Sequence, residues 1–392
     1  MIGYVSSIWH EIFVMPITST RERGRLPLAL MAHDLLKRRE NQVQDGQTST
    51  PFDASRRPAQ LADVAAAAGV SAGLVSRILR GDETVRARPA TRDRVLAAAE
   101  SLQYTPHQSA QALRSHLSGA LGLVVHDIGN PIYAEIVRGA QREASRKGLG
   151  IFLSDADVIY QNSNALRALL APGRIDGLLL QTGGYANDTD IVERLAGRVP
   201  MVLVNSASIG GVPAVYLDDY EAARIAVRHL LSLGHERIAY VGGRQESPTS
   251  SERRRAVMAE MMNAGLPTRS IESGWDLGAG RDAMGTILAE PGLRPTGLVV
   301  ANTLVAGGVL VEARSQGVRV PEDLSLVSIH DVWLAEATTP PLTVVRTPLS
   351  EMGSTAVDCL LRISAGENIA SVCVERPPLE LVRRGSTAPP SS

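Results

Sequence analysis

Apolar residues near the start of the chain recur with the period of an α-helix. One face of the first predicted helix carries four of them at the spacing i, i+3, i+4 and i+7: Leu61, Val64, Ala65 and Ala68. Gly69 is suited to end this helix, and Ser71 is a favourable N-cap for a second one. The second predicted helix buries three residues: Val75, Ile78 and Leu79. Two short helices joined by a glycine-containing turn predict a helix-turn-helix.

A third helix is predicted from about Thr91. Its predicted inner face consists of four residues: Val95, Leu96, Ala99 and Leu102. The pattern therefore predicts one small helical domain over residues 58–105. Residues 1–57 before it are polar, punctuated by proline and without periodicity, and this composition predicts disorder.

Beyond Gly119 the pattern changes to continuous apolar runs that alternate with helical patterns. The runs are LGLVV, GIFLSD, DGLLLQT, MVLVN, RIAYVGG, GLVVAN and LSLVSIH. Continuous rather than alternating runs are typical of parallel strands that are covered on both faces. Helices between them favour right-handed βαβ crossovers. The strands are too many for one small sheet, so the pattern predicts two doubly wound lobes with a cleft between them.

Composition changes this picture little. A length of 392 residues is typical of two or three domains, and a net charge of −1 can conceal a small basic module. No apolar run reaches the roughly 18 residues of a membrane span, and the first 17 residues lack the features of a secretory signal. Cys359 and Cys373 form neither a disulfide framework nor a metal-binding spacing. We therefore expect a cytoplasmic protein without membrane contact, metal or cofactor.

The outward side of the second predicted helix is small, hydroxylic and cationic. It consists of Ala72, Gly73, Ser76, Arg77 and Arg80. A major groove accepts such a helix, and arginine can pair bidentately with guanine. Ser71 and Ser76 can donate hydrogen bonds to phosphates. From this pattern alone, a generic three-helix bundle with a solvated arginine face remains an alternative to DNA binding.

The stretch LADVAAAAGVSAGLVSRILRG closely resembles the DNA-binding headpiece of the LacI/GalR transcriptional repressors. Later stretches resemble further segments of that family, in family order. They are VLAAAESLQYTPHQSAQALRS, HDIGNPIYAEIVRGAQREASRKG, RIDGLLLQ, HLLSLGHERIAYVGG, GVRVPEDLSLVSIHD, PPLTVVRTPLSEMG and PPLELVRRGSTAPP. The resemblance covers about residues 58–390. It implies an all-α helix-turn-helix headpiece followed by a two-lobed α/β effector domain of the periplasmic-binding-protein type, with doubly wound parallel sheets.

The resemblance also implies a homodimer whose headpieces read a pseudo-palindromic double-stranded operator. Ala72, Gly73 and Arg77 match the base-reading positions. Gly73 offers no side chain, so base reading would depend on Arg77, on backbone approach and on DNA shape. The stretch YTPHQSAQALRS resembles the hinge helix, in which Leu113 would wedge into the minor groove and Ala110 would let two hinge helices approach. A core contact against the effector domain is the alternative for Leu113.

Seven positions match the contacts of a small effector, often a sugar or nucleobase, between the lobes of the family. They are Asn130, Tyr133, Asp155, Asn205, Arg253, Thr303 and His330. Thr303 and His330 replace aspartates of the family, and Ser206 replaces a common arginine. The loss of two carboxylates beside Arg253, and a histidine that can charge near neutral pH, predict an anionic effector such as a sugar acid. The alternative is a cleft that has lost ligand binding, with constitutive repression.

The predicted organisation has five parts. They are a disordered extension (1–57), the headpiece (58–105), the hinge helix (106–118), the effector-binding and dimerisation domain (119–385) and a disordered tail (386–392). The predicted function is a sequence-specific transcriptional repressor switched by a small molecule. A solute-binding protein would show an export signal and no headpiece, which is the reverse of this chain. An enzyme is disfavoured, since no glycine-rich phosphate loop, nucleophile elbow or metal cluster occurs and no catalytic residue is predicted.

Overall fold

The structure of the protein is a computed structural model. It describes residues 59–79, 82, 84–104, 117–161, 163–267, 269–290, 292 and 294–391. The chain divides into two compact units, Met1–Pro106 and His107–Ser392. The predictions for the extension at 1–57, for Arg80 and for the hinge residues Ala110 and Leu113 lie outside the described residues.

The first unit contains the predicted helix-turn-helix. Its helices are α1 (Leu61–Ala68), α2 (Ala72–Leu79) and α3 (Pro89–Ser101). The chain turns by 102° between α1 and α2, within the range of this motif. Gly69 has a φ of 63°, and the Ser71 hydroxyl accepts a hydrogen bond from the Leu74 amide at 3.3 Å. Both ends of the turn therefore use the residues that the sequence predicts.

The headpiece core confirms most of the predicted inner faces. Its buried residues include Val64, Ala65, Ala68, Val75, Ile78, Val95 and Ala99. The assignment of Leu96 and Leu102 to the inner face of α3 was wrong, because these side chains are 47% and 37% exposed. Ala98 is buried instead. The inner face of α3 is thus built from smaller side chains than the periodicity indicated.

The second unit has two lobes, and each lobe contains a six-stranded sheet. The strands of the first lobe, in spatial order, are β11 (Val372–Cys373), β5 (Ala214–Tyr216), β4 (Met201–Val204), β3 (Gly177–Gln181), β1 (Ala120–Val125) and β2 (Gly150–Asp155). All of their pairings are parallel. Helices α4 (Pro131–Arg146) and α13 (Leu349–Ser364) cover one face. Helices α5 (Ala156–Gln161), α6 (Ser163–Leu169) and α7 (Asp188–Leu195) cover the other.

The second lobe repeats this three-layer arrangement. Its strands, in spatial order, are β12 (Glu380–Val382), β10 (Thr343–Arg346), β9 (Ser325–Ile329), β8 (Gly297–Val300), β6 (Ile238–Val241) and β7 (Arg269–Ile271). Only β12 is antiparallel among these described strands. One face is covered by α8 (Asp219–Ser232) and α9 (Pro248–Asn263). The other is covered by α10 (Leu277–Ala289), α11 (Thr303–Ser315) and α12 (Trp333–Ala337).

The chain passes between the two lobes three times. It leaves the first lobe after β5, returns after β10 to form α13 and β11, and leaves again to form β12. Neither lobe is therefore a continuous segment of sequence.

Glycines let one pair of helices in each lobe cross closely. In the first lobe, a Cβ atom at Gly139 of α4 would overlap the Ser350 carbonyl of α13, and one at Gly353 would overlap the Ile136 carbonyl. In the second lobe, a Cβ at Gly280 of α10 would overlap the Val305 carbonyl of α11. Backbone-to-backbone contact at these crossings excludes any side chain larger than hydrogen.

The end of the described chain is packed, in contrast to the predicted disordered tail from residue 386. The Ser386 side chain is fully buried, and its hydroxyl accepts a hydrogen bond from the Thr343 amide at 2.8 Å. The Ala388 carbonyl accepts hydrogen bonds from His235 Nε2 at 2.9 Å and Ser325 Oγ at 3.0 Å. The prediction of disorder was wrong for residues 386–391, because their polar atoms pair with β9, β10 and the residues after α8. Small and polar composition did not reveal these pairings.

The described residues show neither a single membrane-spanning helix nor a cluster of metal ligands. No single described helix has both the length and the apolar content to cross a membrane, although the bent pair of α1 and α2 passes that test by length and composition. Among the same residues, no group of three or more His, Cys, Asp and Glu side chains could hold a metal ion.

Candidate functional site

The outward surface of α2 is accessible. Ser71, Ala72 and Gly73 are exposed, and Ser76 is half-buried. A Cβ atom at Gly73 would meet no other atom within 4 Å, so the backbone there is open to close approach. Val75 and Ile78 face the opposite way, into the headpiece core. The structure therefore brings the described members of the predicted DNA-reading set together on one side of one helix.

Arg77 is tied to the loop that follows α2. Its Nε donates a hydrogen bond to Asp82 Oδ2 at 2.9 Å, and its Nη2 donates one to Thr84 Oγ1 at 3.0 Å. The Arg77 side chain nevertheless remains 47% exposed. A cationic group is thus held at the surface in a defined orientation.

A narrow cleft that is partly open to solvent lies between the lobes of the second unit. It is lined by Asn130, Ile132, Tyr133, Gln181, Thr182, Gly183, Asn205, Ser247, Thr249, Arg253, Trp275, Asn302 and His330. Of the seven predicted effector residues, five are in this set. Asp155 and Thr303 are not.

The two predicted residues outside the lining serve local structure. Asp155 Oδ1 accepts a hydrogen bond from the Asp157 amide at 2.8 Å, at the start of α5. The Thr303 side chain is buried, and its Oγ1 donates to the His330 carbonyl at 2.7 Å. Thr303 thus fixes the backbone at His330 and does not itself line the cleft.

Several lining residues follow strands, as expected for a cleft at the carboxyl edge of parallel sheets. Gln181 ends β3, Asn205 follows β4, and Asn302 follows β8. Asn205 has a φ of 54°, which turns the chain at the cleft wall. Its buried Oδ1 has no hydrogen-bond partner among the described residues. A buried acceptor without a partner is ready to accept a hydrogen bond from a ligand.

Sequence reasoning missed the other lining residues. Ser247 is the N-cap of α9, and Thr249 lies in the first turn of that helix. Trp275 precedes α10 in a segment without strand or helix. Trp275 was the one residue whose sequence context could have indicated the site, because an aromatic side chain among polar neighbours is typical of binding sites.

Arg253 is fully engaged by the protein itself. The side chain is 1% exposed, and Nε and Nη2 donate to Asp219 Oδ1 at 2.8 and 2.6 Å. Nη1 donates to the Ala301 carbonyl. Burial raises the pKa of Asp219, and the charge and hydrogen bonds of Arg253 oppose that rise. The carboxylate therefore balances the guanidinium, and the pair adds little net charge to the cleft.

His330 is a neutral acceptor rather than a cation. Its Nε2 lies 2.9 Å from Arg253 Nη2, and its Nδ1 lies 2.7 Å from Thr347 Oγ1. Because arginine only donates, Nε2 must accept and the proton must be on Nδ1. Burial, with a contribution from the Arg253 charge, lowers the pKa of His330 well below its usual value. The expectation that this histidine charges near neutral pH was wrong.

This geometry predicts that His330 makes the protein less stable in mild acid. Below about pH 6.5 the unfolded chain binds a proton at His330 that the folded chain excludes, so the free energy of unfolding falls as the pH falls. At pH 5.5 the loss from this one group is at most about 1.4 kcal/mol relative to pH 8. Urea unfolding from pH 5.5 to 8 would measure it, with His330→Asn as the comparison, since asparagine tolerates the φ of 76° at this position. An identical pH dependence in both proteins would contradict the prediction.

Side chains of the second lobe contact the loop after β3 of the first lobe, next to the cleft. Trp275 Nε1 donates to the Gly183 carbonyl at 3.2 Å, and Arg244 Nε donates to the Gly184 carbonyl at 3.2 Å. The Arg244 guanidinium also lies 4.8 Å from the ring centroid of Tyr185, which stacks on His126 with centroids 4.0 Å apart. The described cleft is therefore narrow because the second lobe holds the loop after β3.

Comparisons with known proteins agree with the two-unit architecture. A profile described as "Bacterial regulatory proteins, lacI family" matches residues 60–107, and one described as "Periplasmic binding protein-like domain" matches residues 227–387. The HTH-type transcriptional regulator DegA of Bacillus subtilis (strain 168) is 31% identical over 333 residues, which are 83% of this chain and 97% of DegA.

Two solved structures share the fold. The lac repressor dimer bound to operator and the anti-inducer ONPF has a TM-score of 0.69 at 26% identity, over 85% of this chain and 100% of that one. The complex of the transcriptional regulator CelR with cellobiose has a TM-score of 0.61 at 28% identity, over 84% of this chain and 99% of that one.

Proposed function

The chain belongs to the lacI family of bacterial regulatory proteins and is a DNA-binding transcriptional regulator, not an enzyme, and from this premise we propose which of its surfaces bind DNA, a second copy and an effector. It acts as a repressor that leaves its operator when the cleft changes its occupancy. Since chromosomal DNA is its target, we place it in the cytoplasm. The observation that carries the proposal is the outward side of α2 and its N-cap, where Ser71, Ala72, Gly73 and Arg77 are exposed opposite the buried face of the helix.

We propose that α2 enters the major groove. Ala72 and Gly73 allow close approach, Arg77 pairs with a guanine, and Ser71 and Ser76 bind phosphates. Arg80, which follows α2 in the sequence, would add positive charge to the same surface. One headpiece of this size reads only a few base pairs, so useful affinity needs two copies on one site. Ala110 and Leu113 are proposed to add minor-groove contacts at the centre of the operator.

Exposed apolar side chains on both lobes support a homodimer. In the first lobe, β2 is an edge strand with Phe152 46% and Leu153 42% exposed. In the second lobe, Leu277, Val311 and Trp333 of α10, α11 and α12 are 41%, 47% and 66% exposed. Among the described residues no strand pairs with the outer edge of β2, and an exposed apolar edge favours association with another chain. We propose that these residues form the dimer face.

The dimer proposal predicts the behaviour of a charged variant. The double variant Phe152→Glu/Val311→Glu is expected to sediment as a monomer and to lose about 100-fold in operator affinity, because two linked headpieces no longer bind together. Analytical ultracentrifugation and footprinting on a selected operator would measure both. Met262→Glu is the matched control, since Met262 is 71% exposed on α9, away from the proposed face. A wild-type footprint on a single asymmetric half-site by a monomer would refute the proposal.

The cleft favours a neutral, hydroxyl-rich effector over the anion that the sequence indicates. The Arg253 charge is paired with Asp219, and His330 is neutral. The remaining lining combines amides, hydroxyls and the aromatic rings of Tyr133 and Trp275. Such a lining suits a sugar or nucleoside, whose hydroxyls need both donors and acceptors and whose faces pack on rings. Asn205 is proposed to accept from one of those hydroxyls.

A thermal-shift screen with ribose, cellobiose, uridine, gluconate and glucose 6-phosphate would test the effector class. A ligand at 100 times its dissociation constant adds about 2.7 kcal/mol to the free energy of unfolding. We expect stabilisation by a neutral compound, retained in Asn205→Asp because a carboxylate still accepts from a hydroxyl. Stabilisation only by the acids, lost in Asn205→Asp through charge repulsion, would restore the anionic effector. No stabilisation by any compound would favour constitutive repression.

A further inference from the structure

We propose that Asp82 and Thr84 are positioning residues that hold the Arg77 guanidinium in its base-reading orientation. The inference rests on the proposed role of Arg77 in DNA recognition. It assigns specificity to two residues that lie after α2 rather than on it.

The two contacts to Arg77 use one edge of the guanidinium. Nε donates to Asp82 Oδ2 and Nη2 donates to Thr84 Oγ1. Both N–H groups lie on the Nε–Nη2 edge of the planar fork. The other bidentate edge, formed by Nη1 and the second N–H of Nη2, points away from these contacts. That edge has the spacing that pairs with O6 and N7 of guanine.

The partners of Arg77 are themselves fixed. Asp82 Oδ1 accepts hydrogen bonds from the Thr84 hydroxyl at 2.6 Å and from the Thr84 amide at 2.9 Å. The Asp82 amide donates to the Arg77 carbonyl at 3.1 Å, which fastens the loop to the end of α2. Val85, one residue further on, is buried in the headpiece core. Backbone contacts on both sides therefore set the position of the carboxylate and the hydroxyl.

The carboxylate is ionised at every pH at which DNA binding is measured. Hydrogen bonds from Thr84 and Arg77 lower the pKa of Asp82 to about 2. An exposed ion pair of this kind contributes little to folding stability. A negative charge beside a DNA-contacting helix also repels phosphates and weakens non-specific binding. The arrangement favours binding because it restricts the torsions of the Arg77 side chain before DNA arrives, which lowers the conformational entropy lost on binding.

The test uses the full-length protein and operators that it selects from a random double-stranded library. Dissociation constants are measured for the selected operator, for every single base-pair change in it and for a scrambled duplex. The variants are Arg77→Ala, Asp82→Ala, Thr84→Val and Thr84→Ser, with the double variant Arg77→Ala/Asp82→Ala. Asp93→Ala is the charge-matched control, because Asp93 is exposed on α3 and forms no hydrogen bond or ion pair with Arg77 among the described residues.

We expect Arg77→Ala to remove discrimination at one base pair of each half-site. Asp82→Ala and Thr84→Val should reduce discrimination at that same base pair by about three- to tenfold, a part of what a bidentate pair gives. Thr84→Ser should retain it because the hydroxyl is kept. Binding to the scrambled duplex should tighten equally in Asp82→Ala and Asp93→Ala, which also reports a folded headpiece. Asp82→Ala should change nothing further at that base pair in the Arg77→Ala background.

Other outcomes distinguish the positioning role of Asp82 and Thr84 from the base-reading role of Arg77. If Arg77→Ala relaxes one base pair but Asp82→Ala and Thr84→Val leave it unchanged, the positioning role is overturned and the role of Arg77 stands. If the loop variants relax a different base pair, or still act without Arg77, they contact DNA themselves and the proposal fails. If Arg77→Ala changes no base pair, the proposed role of Arg77 fails and the positioning role fails with it.

Discussion

Replacing Asp219 by alanine is expected to lower the free energy of unfolding of the second unit by about 3–5 kcal/mol. Arg253 is 1% exposed, and Asp219 is its only described carboxylate partner. Without that carboxylate, a guanidinium remains buried with no counter-charge, and this is far costlier than losing an exposed ion pair. Urea unfolding of wild type and variant would measure the difference.

The matched control is Asp190→Ala. Asp190 pairs with Arg194 at 2.9 Å, but their side chains are 56% and 64% exposed. An exposed pair contributes about 0–1 kcal/mol. The double variant Arg253→Met/Asp219→Leu should recover much of the lost stability, since it removes both charges. Equal effects of Asp219→Ala and Asp190→Ala would mean that water reaches Arg253, and the neutral description of the cleft would be wrong.

A single methyl group at Gly139 is expected to destabilise the first lobe by about 3 kcal/mol, the upper end of the range for overpacking. The added Cβ atom would overlap the Ser350 carbonyl, which is backbone and cannot rotate away as a flexible side chain does. Helices α4 and α13 must then move apart and disturb the core that they cover. Gly139→Ala and Gly353→Ala should behave alike, because both lie at the same crossing.

The control for this effect is Gly285→Ala in α10. Gly285 is also helical, but a Cβ atom there would meet nothing within 4 Å. Alanine at such a site stabilises a helix by about 1 kcal/mol relative to glycine. The two substitutions are chemically identical and should change the unfolding midpoint in opposite directions. A shift of the same sign in both would show that the helix crossing is not tightly packed.

The sequence predicted the elements whose patterns are long or regular. The seven apolar runs became β1, β2, β3, β4, β6, β8 and β9, and the helix-turn-helix formed where its spacing placed it. The sequence did not reveal β5, β7, β10, β11 and β12, which have two to four residues each. The strands β5, β7, β11 and β12 have too few residues to form a pattern, and β10 contains only two successive apolar residues, unlike the four-residue strands β4, β6 and β8. The five unpredicted strands form because neighbouring strands already present an edge.

The sequence predicted those cleft residues that directly follow strands and missed those that come from other elements. Asn205 and His330 follow strands and line the cleft, while Ser247, Thr249 and Trp275 enter it from a helix start and a loop. Arg253 was found, but its pairing with Asp219 joins residues 34 positions apart and leaves no local pattern. The charge of the cleft, and with it the class of effector, therefore depended on a long-range contact that spacing cannot show.

The three passages between the lobes also set the order in which the chain can fold during synthesis. The headpiece is continuous and can close its core soon after residue 104 leaves the ribosome, whereas the first lobe needs α13 and β11. Its five earlier strands must therefore wait, with one apolar face covered by α4 alone, while the whole of β6–β10 is translated. During that interval a nascent chain already carries a DNA-binding surface but no finished lobe. A chain that ends before residue 349 would be prone to aggregation, and we expect chaperones to bind the nascent chain mainly between the synthesis of β6 and that of α13.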